Sequence, residues 1–329
     1  MAQSAYSVQI NAYGAPEVMR WTELALVPLA PDELRIKTLA AAVNHTDLEI
    51  RAGNWPIRKP DPFPYVPGVE VIGEVEEIGA AVTGISPGQR VITMMQGLGG
   101  VRAERPGGYA TYVTVAADAA ALVAQEIDPY AMAALGLGAV TAFEGLRRIG
   151  VLAGKRIIVT GAAGGVGSAA VAIARAQGAS VVGLVSREEQ VAYVRELGAD
   201  EVSISGRGAA VDLAVQSVDG VLDTVGATVF QSVLTALKPG GTLSLVGAVG
   251  GSDVRLDLWE LIRPVTLTGY STEHLKGVDL RQAVAALTLW LRNQAITAPA
   301  WTTIPLSEAA RAHTMLERKE VSGRILLVP

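Results

Sequence analysis

A chain of 329 residues exceeds what one ordinary hydrophobic core supports and points to about two domains. Its 27 Lys and Arg stand against 32 Asp and Glu, and a net charge of -5 gives no basic footprint for nucleic acid or an anionic membrane. With no cysteine, disulfides, thiolate nucleophiles and every zinc site built on Cys are excluded.

Met1 to Asn11 lacks a basic segment followed by an apolar run, so no secretory signal is read there and a cytoplasmic location is expected. Up to about Ala124, short apolar runs broken by Gly and Pro, such as Leu34–Ala42, Val69–Ile78 and Arg90–Met95, predict a β-rich domain. Pro56 to Pro67 holds five prolines in twelve residues and reads as a shaped loop, because proline lacks the N–H that helices and inner strands need. Substrate choice is expected to depend on the loops Asn54–Tyr65 and Gln96–Arg105.

From Lys155 the rhythm changes to strands alternating with helices. Strands are expected at Ile157–Thr160, Val181–Val185, Val202–Ile204, Val221–Val225, Leu243–Val246 and Leu267–Gly269, with helices such as Glu188–Leu197 and Val229–Leu237 between them. Gly178, Gly198 and Gly240 read as helix stops. Near-continuous apolar strands in this alternation imply an α/β fold, a doubly wound parallel sheet covered on both faces. Ile157 to Ala174 is uncharged for 18 residues, yet its four glycines in a strand, turn and helix argue for a buried unit over a membrane span. After Ser271, a helix at Val278–Asn293 leads to two short strands, Trp301–Ile304 and Arg324–Val328, expected to rejoin the N-terminal domain. The expected domains are residues 1–124 with 273–329, and residues 125–272.

Thr160-Gly161-Ala162-Ala163-Gly164-Gly165-Val166-Gly167 lies after a strand and before the alanine-rich helix Ser168–Gln177. Small residues let the backbone approach a pyrophosphate, and the helix N-terminus offers free N–H groups and a positive dipole end, so Gly164, Gly165 and Val166 are candidate dinucleotide contacts. An NAD site usually ends the next strand with an acid that bonds the ribose 2′-OH. Here that strand ends Val185-Ser186-Arg187. A hydroxyl and a guanidinium suit a 2′-phosphate, so NADPH is expected with Ser186 and Arg187 as its markers; the other reading of Arg187 is an ordinary solvated side chain. Glu188 and Glu189 are assigned to the first helical turn, where acids favour the dipole.

The motifs Asn44-His45-Thr46-Asp47, Pro67-Gly68-Val69-Glu70 with Gly73, Gly88-Gln89-Arg90-Val91, Gly107-Gly108-Tyr109-Ala110, the Ala162 to Gly167 turn and Leu237-Lys238-Pro239-Gly240-Gly241 occur in order. Together they resemble the medium-chain dehydrogenase/reductase superfamily over essentially the full length, and most of all its zinc-free quinone oxidoreductase branch. The resemblance implies a Rossmann NADPH-binding domain beside a β-rich GroES-like catalytic domain. In zinc-dependent relatives the first motif begins with Cys and the second reads Gly-His-Glu, whereas Asn44 and Val69 stand at those positions here. The Cys-rich lobe for structural zinc is also missing. No metal is therefore expected, although His45, Asp47 and Glu70 remain as oxygen or nitrogen donors. Some reductases of this kind place a Lys and a Tyr around the 2′-phosphate where this chain has Gln190 and Ser205, which leaves most of that charge to Arg187.

The function implied is metal-independent hydride transfer from NADPH to a quinone or an α,β-unsaturated carbonyl compound. A metal-free ketone or aldehyde reductase and a non-catalytic NADPH-binding regulatory protein are the alternatives. Without zinc, hydrogen-bond donors must stabilise the oxygen on which charge grows. Asn44 is the first candidate, since its amide either donates to a substrate carbonyl or only bonds its own loop. Asp47 either takes part in catalysis or holds a neighbouring loop, and His45 either relays a proton or is solvated. Trp55 stacks on a flat substrate or packs in the core, and Tyr65 is a candidate phenol donor. On the cofactor side the resemblance places Thr141 near the nicotinamide half and Gly247, Ala248, Val249, Tyr270 and Ser271 near the carboxamide, while Asp223-Thr224-Val225-Gly226 ends a strand at the carboxyl end of the parallel sheet, where ligands bind, which makes Val225 a candidate contact. It places Arg324 on a cofactor phosphate or ribose. Relatives pair the edge strand, here Val265–Ser271, with its copy, so a homodimer is the expected state.

Overall fold

Strand-forming sequence dominates the first third of the chain, as its β-branched content dictates. The computed structural model describes residues 5–55, 57–59, 62–95, 98, 100–205, 211–321 and 323–329. The chain divides into two units, one made of Met1–Gly136, Thr272–Leu289 and Ala298–Pro329, the other of Leu137–Ser271 and Trp290–Thr297. Of the loops assigned to substrate choice, residues 56, 60, 61, 96, 97 and 99 lie outside the described residues, Pro56, Pro60 and Gln96 among them.

The first unit opens with the antiparallel pair β1 (Ala5–Gln9) and β2 (Arg20–Leu24). Then come β3 (Glu33–Ala42), α1 (His45–Ala52), β4 (Glu70–Ile78), β5 (Arg90–Met94), β6 (Tyr112–Ala116), β7 (Ala120–Val123) and α2 (Pro129–Arg147). Helix α2 breaks at Gly136, the last residue of this unit in the first segment, where φ is +37° and ψ is -137°. That conformation is open to glycine and strained for any other residue.

In the second unit, β8 (Arg156–Val159), α3 (Gly165–Ala176), β9 (Ser180–Val185), α4 (Val191–Glu196), β10 (Glu201–Ile204), β11 (Val218–Asp223), α5 (Ala227–Ala236), β12 (Leu237–Leu245), α6 (Trp259–Ile262) and β13 (Thr266–Gly269) alternate as expected. The strands pair in the order β10-β9-β8-β11-β12-β13, all parallel. This is the doubly wound order, with its switch point between β8 and β11. Ile158, Val182, Leu184, Val221 and Leu243 from the sheet pack with Val229, Val233 and Leu234 of α5 in one core. Each such side chain contributes about 1.5–3 kcal/mol on full burial.

The chain then returns to the first unit through α7 (Gly277–Arg292), β14 (Trp301–Pro305), α8 (Ala309–Glu317) and β15 (Arg324–Val328). One sheet runs β14-β15-β3-β4-β5-β7, with β6 paired to β3. Leu34, Ile36, Ile72, Val91, Ile92, Val113 and Val115 of these strands are buried.

Three local expectations change. Gly240 does not stop a helix: α5 ends at Ala236, and Gly240, with φ +82°, sits inside β12, which starts six residues earlier than the apolar run Leu243–Val246 suggested. Glu188 and Glu189 lie in a short 3-10 turn, Glu188–Gln190, ahead of α4. Helix α8 had no counterpart in the sequence reading; it buries only Ala309, Ala312 and His313. Among the described residues no helix is long and apolar enough to cross a membrane, and the uncharged run Ile157 to Ala174 is β8, the glycine turn and most of α3.

Candidate functional site

In the first unit, Asn44 caps the N-terminus of α1, and its backbone N–H donates to Asp47 Oδ2 at 2.9 Å. Its side chain reaches away from the helix. Nδ2 donates to Glu70 Oε1 at 2.7 Å and to Ala42 O at 3.3 Å, while Oδ1 accepts from Arg324 Nη2 at 2.8 Å. The same Arg324 nitrogen lies 3.2 Å from Glu70 Oε1. Both amide hydrogens of Asn44 are therefore engaged, and the donor left beside them is the guanidinium of Arg324. Glu70, at the start of β4, is 2% exposed, and a Cβ on Gly136 would stand 2.1 Å from its Oε2. The break in α2 makes room for a buried carboxylate, which is tolerable because it is paired.

Asp47, 1% exposed, accepts from Val69 N at 3.0 Å through Oδ1 and from the hydroxyl of Tyr109. Burial pushes its pKa up to about 7; the amide of Asn44 pulls it down, the charge of Glu70 raises it, and the Val69 amide and Tyr109 hydroxyl pull it down again. Tyr65 is buried close to Asp47, and burial first, then the charge of Asp47, drives its phenol pKa well up. His45 is exposed on the first turn of α1. Trp55 follows α1 half-buried, with its N–H on Glu49 O at 3.1 Å.

Behind Asp47 runs a second layer that sequence reasoning missed. Tyr109 Oη lies 3.1 Å from His313 Nε2, and His313 Nδ1 lies 3.3 Å from Arg51 Nη1. Arg51 also pairs with Glu317 and donates from Nε to Gly14 O at 3.0 Å. Tyr109 was legible only as part of a glycine motif, and no periodicity or spacing singles out His313.

The second unit holds most of the expected cofactor residues. Ser168 N–H closes the first turn of α3 on Gly164 O at 2.8 Å, so the amides of Gly165, Val166 and Gly167 precede the first helical bond and point out of the N-terminus. A Cβ on Gly167 would stand 2.1 Å from Gly161 O, so the tight turn itself requires glycine there. At the neighbouring strand end, Asp223 Oδ1 accepts from Thr160 Oγ1 at 2.6 Å, Val225 N at 2.9 Å and Gly226 N at 3.2 Å. This buried carboxylate ties the carboxyl ends of β8 and β11 together.

Gly247 packs against Thr224 O, and exposed Val249 follows it, with its N–H on the same oxygen at 3.4 Å. Tyr270 lies half-buried beneath the Arg148 guanidinium at 4.5 Å, Ser271 is exposed beyond it, and Thr141 is buried with its hydroxyl on Leu137 O at 2.8 Å. At the end of β9, Arg187 is exposed. Ser186 donates both its N–H and its hydroxyl to Gln190 Oε1, at 3.2 and 3.3 Å. A 2′-phosphate would meet a serine donor already in use, which concentrates the recognition on Arg187. Arg324, expected beside the cofactor, is held in the first unit by Asn44 and Glu70.

Residues 30–125 match the family model described as Alcohol dehydrogenase GroES-like domain, and residues 165–287 match the one described as Zinc-binding dehydrogenase. The chain is 30% identical to a quinone oxidoreductase of Sus scrofa over 98% of this chain and 97% of that protein. It is 33% identical to a chloroplastic NADPH-dependent alkenal/one oxidoreductase of Arabidopsis thaliana over 72% of this chain and 61% of that one. Among solved structures, the Escherichia coli quinone oxidoreductase complexed with NADPH superposes with a TM-score of 0.84 at 26% identity, covering 98% of this chain and 100% of the other.

Proposed function

The chain belongs to the medium-chain dehydrogenase/reductase family, in its quinone oxidoreductase-like branch, and from that premise we propose that it is an NADPH-dependent reductase of quinones or α,β-unsaturated carbonyl compounds. The observation that carries the reading is the open glycine turn at the head of α3, whose three outward amides and close backbone contacts suit a diphosphate. Gly164, Gly165 and Val166 would hold it, with Arg187 on the 2′-phosphate and Val225, Gly247, Val249, Tyr270, Ser271 and Thr141 along the remainder. When bound, NADPH supplies a hydride.

The first unit supplies polarisation. Arg324, fixed by the carbonyl oxygen of Asn44 and by Glu70, is the positive donor for an oxygen gaining charge, and Asn44 orients it. This reassigns Asn44 from direct donor to anchor, because its amide hydrogens already serve Glu70 and Ala42. Zinc does not fit this donor set. Val69 cannot coordinate, the guanidinium on Glu70 opposes a dication, and among the described residues no three His, Cys, Asp or Glu side chains converge.

We also propose a homodimer through the open edge of β13, flanked by exposed Leu258, Trp259 and Ile262. The test of function is NADPH consumption over a panel of quinones, enones and aldehydes in chelator-containing buffer. Turnover with quinones or enones is the expected result. Reduction of aldehydes alone, or activity that chelation abolishes and zinc restores, refutes the proposal.

A further inference from the structure

Arg51 and Asp47 share one helix, yet they are joined by a buried path that leaves it and comes back. Each link has one permitted direction. A guanidinium only donates, so His313 Nδ1 must accept from Arg51. A neutral imidazole then carries its proton on Nε2, which faces Tyr109 Oη. The phenol oxygen is thereby an acceptor, and its own hydrogen is left for Asp47. His313 and Tyr109 are fully buried and packed edge to face, so no solvent competes for these bonds.

We propose that Tyr109 and His313 are positioning residues for the reduction, forming a one-way hydrogen-bond string that starts at Arg51 and fixes the Asp47 carboxylate. The inference deepens the reductase reading and rests on it for the consequence in turnover, though not for the string itself. Asp47 grips the amides of Asn44 and Val69, the residues next to or identical with those whose side chains hold Arg324. Loosening the string loosens the donor. The string orients and does not conduct, since its far end is a guanidinium that gives up no proton and sits against Glu317.

Burial, reinforced by the charge of Arg51, lowers the His313 pKa to about 3 and keeps the ring neutral. The groups facing Asp47 are Glu70 from β4, Tyr65 and Tyr109 from the loops and, through Glu70, Arg324 from β15; α1 itself carries His45, Glu49 and Arg51.

Nitrogen-15 NMR of the three histidines in the full chain tests the polarity directly. His313 is expected as the Nε2–H tautomer with no titration between about pH 8 and pH 5. The Nδ1–H tautomer, or protonation in that range, overturns the string. Carbon-13 titration of the Asp47 carboxyl is expected to move up by about one unit in Tyr109→Phe; an unchanged midpoint also overturns it.

In turnover, Tyr109→Phe and His313→Leu should lower kcat about tenfold while KM for NADPH stays within about twofold. His313→Gln, which restores an N–H toward Tyr109, should recover part of the loss. Variants equal to wild type in kcat remove the positioning role. Wild-type protein inactive on every quinone and enone would sink the reductase reading instead, and the two NMR measurements would still decide the string.

Discussion

Acid should cost this fold stability at the buried ring of His313. In the unfolded chain a histidine titrates near 6.5, whereas burial and the neighbouring Arg51 hold this ring near 3 in the native state. The unfolded state then binds the extra proton, so the contribution is intact above about pH 6.5 and is lost progressively as pH falls toward 3. Between pH 7.5 and pH 5 the loss is about 2 kcal/mol, because it is set by the gap between pH 5 and the unfolded value for any native pKa well below 5. Asp47 works in the opposite sense. Its native pKa of about 7 lies above the unfolded value, so protonation stabilises the fold as pH falls from about 7 toward 4. A pH profile of wild type alone would blend the two with other groups, such as His45 and Glu33, whose pKa values are lowered. Urea unfolding of wild type and His313→Gln at both pH values separates them: the variant starts less stable at pH 7.5, and its deficit should shrink by about 2 kcal/mol at pH 5. A deficit equal at the two pH values would show that the ring is not held neutral, and the burial argument would fail.

Three further outcomes follow from other parts of the chain. Arg187→Ala should raise KM for NADPH about tenfold and spare NADH, because the serine beside it is already committed to Gln190; steady-state kinetics with both cofactors reads this, and an unchanged preference refutes the assignment. Gly136→Ala places a methyl group against Glu70 Oε2 at a positive φ, and should cost about 2–4 kcal/mol in urea unfolding together with a lower kcat. Trp259→Glu combined with Ile262→Glu should shift sedimentation toward monomer, whereas an unchanged oligomer would remove the β13 edge as the contact.

The elements with local signatures were legible in the sequence. Apolar runs and glycine punctuation placed β3, β4, β5 and β8 to within one or two residues, and the strand, turn and helix expected around Thr160 to Gly167 are present as β8, the glycine turn and α3. Helix α8 was hidden because its buried face holds only small alanines and a histidine, leaving little apolar stripe to detect. β12 was read short because Lys238-Pro239-Gly240-Gly241 carries turn chemistry, although the backbone stays in the sheet. In the site, Asn44, Asp47 and Arg324 were each picked out, but their grouping with Glu70 was not, since Arg324 lies 280 positions from Asn44. Tyr109 and His313 are 204 positions apart, and no spacing rule operates at that range.

The buried charges explain why such long-range links are needed. Glu70 meets the cation Arg324, and the cation Arg51 meets Glu317, so each carries a partner against the cost of desolvation. Asp47 takes only neutral donors among the described residues, two backbone amides and a phenol, with the negative Glu70 nearby. Its charge is therefore the least secured of the set, and each donor removed favours the protonated form. A cation placed beside it would secure the charge but would also compete with Arg324 for Glu70. A neutral string anchored on a distant guanidinium gives Asp47 a third donor without adding positive charge at the site, which leaves Arg324 as its positive pole.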